Sequence, residues 1–152
     1  YQLIENHDDF DNTVLLGLQP RGTVLLDKIV QLLEEISGVK VPSGYLDATF
    51  HRDDFRRRDF PLKANETKID FLVEGKKVIL IDDVLYTGRT IRAAMDALLD
   101  FGRASKVELC VLVDRRFNRQ LPIQPDYTGK TIDSILSQKV TVDWEKPEVV
   151  LL

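Results

Sequence analysis

The residues best equipped for chemistry lie in one stretch, 78–90, which reads VILIDDVLYTGRT. An apolar run ends in two carboxylates, Asp82 and Asp83. A turn then presents Thr87, Gly88, Arg89 and Thr90 where a helix begins. Unpaired backbone N–H groups at a helix N-terminus, two Thr hydroxyls and a guanidinium make a cradle for phosphate. Gly88 lets the backbone approach the anion closely. Carboxylates accept hydrogen bonds from sugar hydroxyls or hold a hard cation such as Mg2+. A ligand carrying a phosphate, a diol and a metal-bound pyrophosphate fits this set. The stretch lacks the GK[ST] of a Walker phosphate loop and the GxGxxG of a dinucleotide site. Read as structure alone, it is an ordinary strand-to-helix turn with an N-cap.

The surrounding pattern supplies the elements that must position these groups. Residues 13–18 (TVLLGL) read as a short buried strand, followed by the turn Gln19-Pro20-Arg21-Gly22. Leu25, Leu26, Ile29, Leu32, Leu33 and Ile36 recur at helical spacing up to Ser37-Gly38. Residues 45–50 alternate like a half-exposed strand. Residues 51–70 are highly charged and read as a long mobile loop or hairpin. Ile91, Ala94, Met95 and Leu98 mark a second helix that stops near Gly102. Residues 107–113 (VELCVLV) read as another buried strand, 114–138 as irregular, and 140–144 and 149–152 as terminal strands. Strand–helix alternation of this kind predicts an α/β domain with a parallel sheet and helices on both faces. In such a sheet ligands bind at the carboxyl ends of the strands, where Asp82 and Asp83 fall.

The length, 152 residues and 17.4 kDa, suits one domain spanning 1–152. Hydrophobic residues at 43% and charged residues at 30% indicate a folded chain. No apolar run nears the roughly 20 residues needed to cross a bilayer, so no membrane partner is expected. The net charge of −4 excludes a protein that coats nucleic acid indiscriminately, though not a local basic face. The single cysteine, Cys110, excludes an internal disulfide framework and suits a reducing, cytoplasmic compartment. The opening residues read as the last turns of a helix whose beginning is missing, so an N-terminal segment is expected before Tyr1.

IDDVLYTGRT resembles the phosphoribosyl pyrophosphate signature of type I phosphoribosyltransferases. DDVLYTGRT followed by IRAAMDALLDFGR and VLVDR, with DATFHRDDFRRRD upstream and LPIQPDYTGK downstream, resembles one branch. That branch is the PyrR family of bifunctional pyrimidine operon regulators and uracil phosphoribosyltransferases. The likeness runs from about Leu15 to Trp144. It implies a type I phosphoribosyltransferase fold: a central, mostly parallel β-sheet flanked by helices, a flexible hairpin loop (about 51–75) and a small hood (about 114–138).

The resemblance also implies site residues. Asp82 and Asp83 bind the ribose hydroxyls and Mg2+. Residues Val84, Leu85, Tyr86, Thr87, Gly88, Arg89 and Thr90 wrap the 5-phosphate. Gln19, Pro20, Arg21 and Gly22 form the pyrophosphate loop, where Gln-Pro replaces the more usual Lys-Thr or Arg-Thr. Arg52 meets pyrophosphate from the hairpin loop. Asp114 and Arg115 line the base pocket, Tyr127 stacks on the base, and backbone groups near Thr128 read its edge. The implied catalytic set is Arg21, Arg52, Asp82 and Asp83. Tyr86 stands where purine enzymes carry an Asp, and a base-reading Lys near Asp114 is absent, so uracil is favoured over purines. The implied partners are phosphoribosyl pyrophosphate, uracil and UMP or UTP. Further partners are a pyr mRNA leader, contacted by Arg115, Arg116, Arg119 and Lys130, and a second copy in a homodimer or higher homo-oligomer. Two alternatives stay open: a hypoxanthine/guanine phosphoribosyltransferase, or a regulator with little catalytic activity.

Overall fold

The computed structural model describes residues 1–52 and 66–152. A short helix, α1 (Gln2–His7), precedes strand β1 (Thr13–Leu18), helix α2 (Gly22–Ser37) and strand β2 (Ser43–Leu46). Strand β3 (Lys77–Leu85), helix α3 (Arg89–Leu98) and strand β4 (Lys106–Arg116) follow. Strand β5 (Tyr127–Asp133) completes a five-stranded sheet in the order β2-β1-β3-β4-β5, with every pairing parallel. A separate antiparallel pair, β6 (Val140–Asp143) and β7 (Glu148–Leu151), ends the chain.

Both faces of the sheet are covered, which is why β1, β3 and β4 read as unbroken apolar runs. Val14, Leu16, Leu18, Val78, Leu80, Leu109 and Val111 pack with Ile91, Ala94, Ala97 and Leu98 of α3. Leu15, Ile79, Ile81 and Cys110 project oppositely and pack with Leu25, Leu26 and Leu33 of α2 and Leu3 of α1. Successive residues of one strand thus feed two cores. Helix α2 ends as its sequence requires, with Gly38 in the left-handed conformation and its N–H donated to Glu34 O. The chain runs from β1 to β2 on one side, while β3 pairs on the other side of β1. The direction of winding therefore reverses between β1 and β3, and the crevice beyond their carboxyl ends is the place for a ligand.

Several elements differ from expectation. The strand expected over 45–50 stops at Leu46, because Asp47 Oδ1 accepts from both Thr49 N–H and Thr49 Oγ1–H and turns the chain into a 3-10 turn at Thr49–His51. Strands β3 and β4 run on past the apolar residues, because their ladder continues through Val84–Val113 and Leu85–Asp114. The stretch 114–138, read as irregular, contains the end of β4 and all of β5, and these strands belong to the main sheet. Strand β5 is an edge strand in which Tyr127 alone is buried, so it carries no apolar run to announce it. Of the expected hairpin loop, residues 53–65 lie outside the described residues. Lys68 forms an antiparallel bridge with Tyr45.

Candidate phosphoribosyl site

Beyond β3 the chain makes a tight turn into α3, and Gly88 is the N-cap in a left-handed conformation, φ 93°. A side chain there would be strained. Thr87 Oγ1 accepts from Arg89 N–H at 3.3 Å, while Arg89 and Thr90 are exposed at the helix start. A cavity of about 690 Å3 opens here, lined by Arg52, Asp82 and residues 84–91. This volume suits a small phosphorylated ligand.

The acidic pair sits under the cavity on β3. Asp82 and Asp83 are both buried. Asp82 Oδ1 accepts from Asp83 N–H at 2.9 Å, and Asp83 Oδ1 accepts from Val84 N–H at 2.8 Å. Burial, then the neighbouring Asp83 charge, holds the Asp82 carboxyl well above the usual carboxylate range, and the Arg21 charge partly opposes this. Arg21 is exposed at the N-cap of α2. The loop that carries it lies against β3 through Gly22, where an added Cβ would stand 2.3 Å from Ile81 O and 3.1 Å from Asp82 Cα. A glycine at the start of α2 therefore brings the Gln19–Gly22 loop up to the acidic pair. That loop contains a cis Gln19-Pro20 peptide bond. Thr23 Oγ1 donates to Pro20 O at 2.9 Å, and Gln19 Nε2 donates to Glu66 O at 2.9 Å.

The phosphoribosyl transferase domain family matches residues 1–146. The bifunctional protein PyrR of Limosilactobacillus fermentum is 46% identical over 148 residues, 96% of this chain and 82% of that protein. The bifunctional protein PyrR of Citrifermentans bemidjiense is 43% identical over 155 residues, all of this chain and 87% of that protein. The chain belongs to the PyrR family. Among solved structures, HGPRT-ase from Leishmania tarentolae in complex with GMP aligns with a TM-score of 0.67, 17% identity, and coverage of 88% of this chain and 71% of that one. A hypoxanthine-guanine phosphoribosyltransferase from Bacillus anthracis gives 0.65, 18%, 86% and 75%. At that identity these likenesses establish the fold and say nothing about the base.

Within this chain the two halves of the expected phosphoribosyl site come together: Arg52, Asp82 and the 84–90 loop share one cavity, with the Arg21 loop beside it. The expected base-side residues are placed otherwise. Tyr127 is only 5% exposed and belongs to the core on the α2 face. Its hydroxyl donates to Glu108 Oε2 and accepts from Asn6 Nδ2, with His7 Nε2 at 2.9 Å. Burial, chiefly, with the Glu108 hydrogen bond, pushes this phenol's pKa upward. A ring held this way does not stack on a base, and the expectation for Tyr127 is corrected. The backbone of Thr128 is engaged by Gln2, whose Nε2 donates to Thr128 O at 3.0 Å and whose Oε1 accepts from Thr128 N–H at 3.2 Å.

Arg115 is buried and is spent on the protein. Its Nε donates to Ser134 Oγ at 2.9 Å, and its terminal nitrogen to Gln138 O at 2.8 Å and Ile135 O at 3.3 Å. Its guanidinium lies 4.0 Å from the centre of the Tyr86 ring. Arg119, expected at an RNA surface, instead bridges Tyr86 O and the buried Asp114 carboxylate. Arg116 is exposed and pairs with Asp133 at 2.6 Å. Lys130 is exposed opposite Val113, three residues before Arg116 on β4, so the two cations leave opposite faces of the sheet. The four residues expected to contact RNA thus form no single basic patch. Gln120, whose Oε1 accepts from Arg89 Nε at 2.8 Å, was not singled out by the sequence. Its one signal, a polar side chain beside Arg119, is too weak to find it.

Proposed function

We propose that the chain is a PyrR-type uracil phosphoribosyltransferase, converting uracil and phosphoribosyl pyrophosphate to UMP and pyrophosphate. The observation that carries this is the union, in one cavity, of the turn into α3 and the buried Asp82 carboxyl, with Asp83 next to it on β3, within a chain that matches PyrR proteins over nearly its whole length. Thr87, Arg89, Thr90 and the N-terminus of α3 hold the 5-phosphate. Asp82 and Asp83 hold the ribose hydroxyls. The bond from the anomeric carbon to pyrophosphate breaks as a bond to uracil N1 forms, and the N1 proton leaves with pyrophosphate in the overall balance. Arg21 and Arg52 stabilise charge that develops on the leaving group. Their other contribution is to fix the two reactants in line.

Mg2+ fits the donor set. Among the described residues no cluster of three or more acidic, His or Cys side chains could hold a metal alone. Mg2+ is commonly held by one or two carboxylates plus substrate phosphates and water, which Asp82 and Asp83 would supply. When bound, it neutralises pyrophosphate charge. A cytoplasmic location and self-association belong to the same reading; among the described residues no helix is long and apolar enough to cross a membrane.

The test is formation of UMP, IMP and GMP with uracil, hypoxanthine and guanine in competition, using wild type, Asp82→Asn and Asp83→Asn. Uracil turnover that falls sharply in both variants is expected. Preference for a purine, or unchanged turnover in the variants, overturns the assignment. A second reading, binding of a pyr leader RNA in response to uridine nucleotides, is favoured by the bifunctional PyrR relatives. Exposed Arg116 and Lys130 remain its candidates, and Arg56, Arg57 and Arg58 lie outside the described residues. A gel-shift assay with pyrimidine leader RNA, with and without UMP, tests it; no sequence-specific shift leaves only the enzyme.

A further inference from the structure

We propose that Arg119 and Gln120 are positioning residues that clasp the phosphate loop into its anion-binding shape. This rests on the phosphoribosyltransferase reading and names how the site is held. The segment 119–123 lies against the loop at each successive residue. Arg119 donates to Tyr86 O. Gln120 N–H and Leu121 N–H both donate to Thr87 O, at 2.9 and 3.3 Å. A Cβ on Gly88 would meet Ile123 Cβ at 3.4 Å and Arg119 Cδ at 3.5 Å. Arg89 Nε donates to Gln120 Oε1 at 2.8 Å.

The effect of this clasp is directional. Carbonyls of a phosphate loop repel the anion if they turn inward. Tyr86 O and Thr87 O are both engaged as acceptors by the 119–121 segment, none of whose residues lines the cavity, and this holds the carbonyls off the anion and leaves N–H groups to meet it. Arg119 is itself anchored by the buried Asp114 carboxylate on β4, so the loop is referred to the sheet and not to solvent. Gln120 adds a side-chain acceptor that fixes the direction of Arg89 Nε at the exposed helix start. None of these groups needs to touch the reacting carbon.

Gln120 is exposed and can be changed with little risk to the fold. Gln120→Leu removes the acceptor for Arg89 Nε, and Gln120→Glu retains one. In steady-state UMP formation, Gln120→Leu is expected to raise KM for phosphoribosyl pyrophosphate about fivefold, the loss of one charge-assisted hydrogen bond. KM for uracil should stay within about twofold of wild type, and Gln120→Glu should restore the phosphoribosyl pyrophosphate KM. Arg119→Met should give the same split more strongly, with folding checked by thermal melting. Three results overturn the proposal: an unchanged KM for phosphoribosyl pyrophosphate in Gln120→Leu, an equal rise for both substrates, or a Gln120→Glu variant as impaired as Gln120→Leu. Should wild type make no UMP, the function fails by itself. The clasp is then judged by calorimetric binding of phosphoribosyl pyrophosphate alone, where unchanged affinity in Gln120→Leu counts against it.

Discussion

Gly22→Ala is the sharpest probe of how the two halves of the site are assembled. The added methyl carbon would stand 2.3 Å from Ile81 O, 3.2 Å from Ile81 C and 3.1 Å from Asp82 Cα. All three are backbone atoms of the central strand β3, which pairs with β1 on one side and β4 on the other. An ordinary contact begins near 3.4 Å, so the start of α2 must retreat by about an ångström. Overpacking of this kind costs about 1–3 kcal/mol. Better helix propensity offsets at most about 1 kcal/mol. A 2.3 Å approach to a backbone oxygen puts the overpacking at the upper end of that range, so the net cost is about 2 kcal/mol, a fall of roughly 4–8 °C in Tm for a 152-residue domain. The retreat also carries Arg21 away from Asp82, and a displacement of about an ångström can cost about 100-fold in rate. The assay is a thermal melt beside steady-state UMP formation. Gly38→Ala is the control: φ is 71° and nothing lies within 4 Å of the added carbon. It should lose about 1 kcal/mol from backbone strain alone and keep full activity. The reasoning is refuted if Gly22→Ala melts and turns over like wild type, or is no worse than Gly38→Ala in activity.

Asp82→Asn should separate stability from function. A carboxyl whose folded pKa is raised contributes stability below its unfolded pKa and loses it as pH rises through the folded value, so ionised Asp82 weakens the fold at neutral pH. The variant should therefore melt higher than wild type at pH 7–8, lose that advantage in acid, and form UMP about 100-fold more slowly or worse. Tyr127→Phe removes the hydroxyl shared by Glu108, Asn6 and His7, and should cost about 1–3 kcal/mol in denaturant melts without moving KM for uracil. A raised uracil KM would return Tyr127 to the base pocket. Arg115→Ala should destabilise by a similar amount, since three hydrogen bonds and the Tyr86 contact are lost. Arg116→Ala should leave the melting temperature within about 2 °C, because its pair with Asp133 is exposed.

What the chain's letters disclose depends on whether a residue's partner is near it in sequence. The turn between β3 and α3 was legible because strand, carboxylates, glycine turn and helix start are consecutive, so spacing alone places Asp82 below Thr87 to Thr90. Strands β1, β3 and β4 were legible because burial on both faces demands apolar residues throughout. Strand β5 was not, because only Tyr127 in it must be apolar. Side chains whose partners are distant were misread in a consistent way. Tyr127 has the ring a base pocket needs, but Glu108, nineteen residues back, and Asn6, 121 residues back, claim its hydroxyl. Arg89 and Arg119 make the same point with charge. Both are Arg near the carboxyl end of a strand, yet Arg89 stands at the exposed start of α3 while Arg119 folds inward onto Asp114 and Tyr86 O. Charge tells that an Arg will find an anion or a carbonyl. Whether the acceptor belongs to a ligand or to the protein is decided by which strand ends lie side by side.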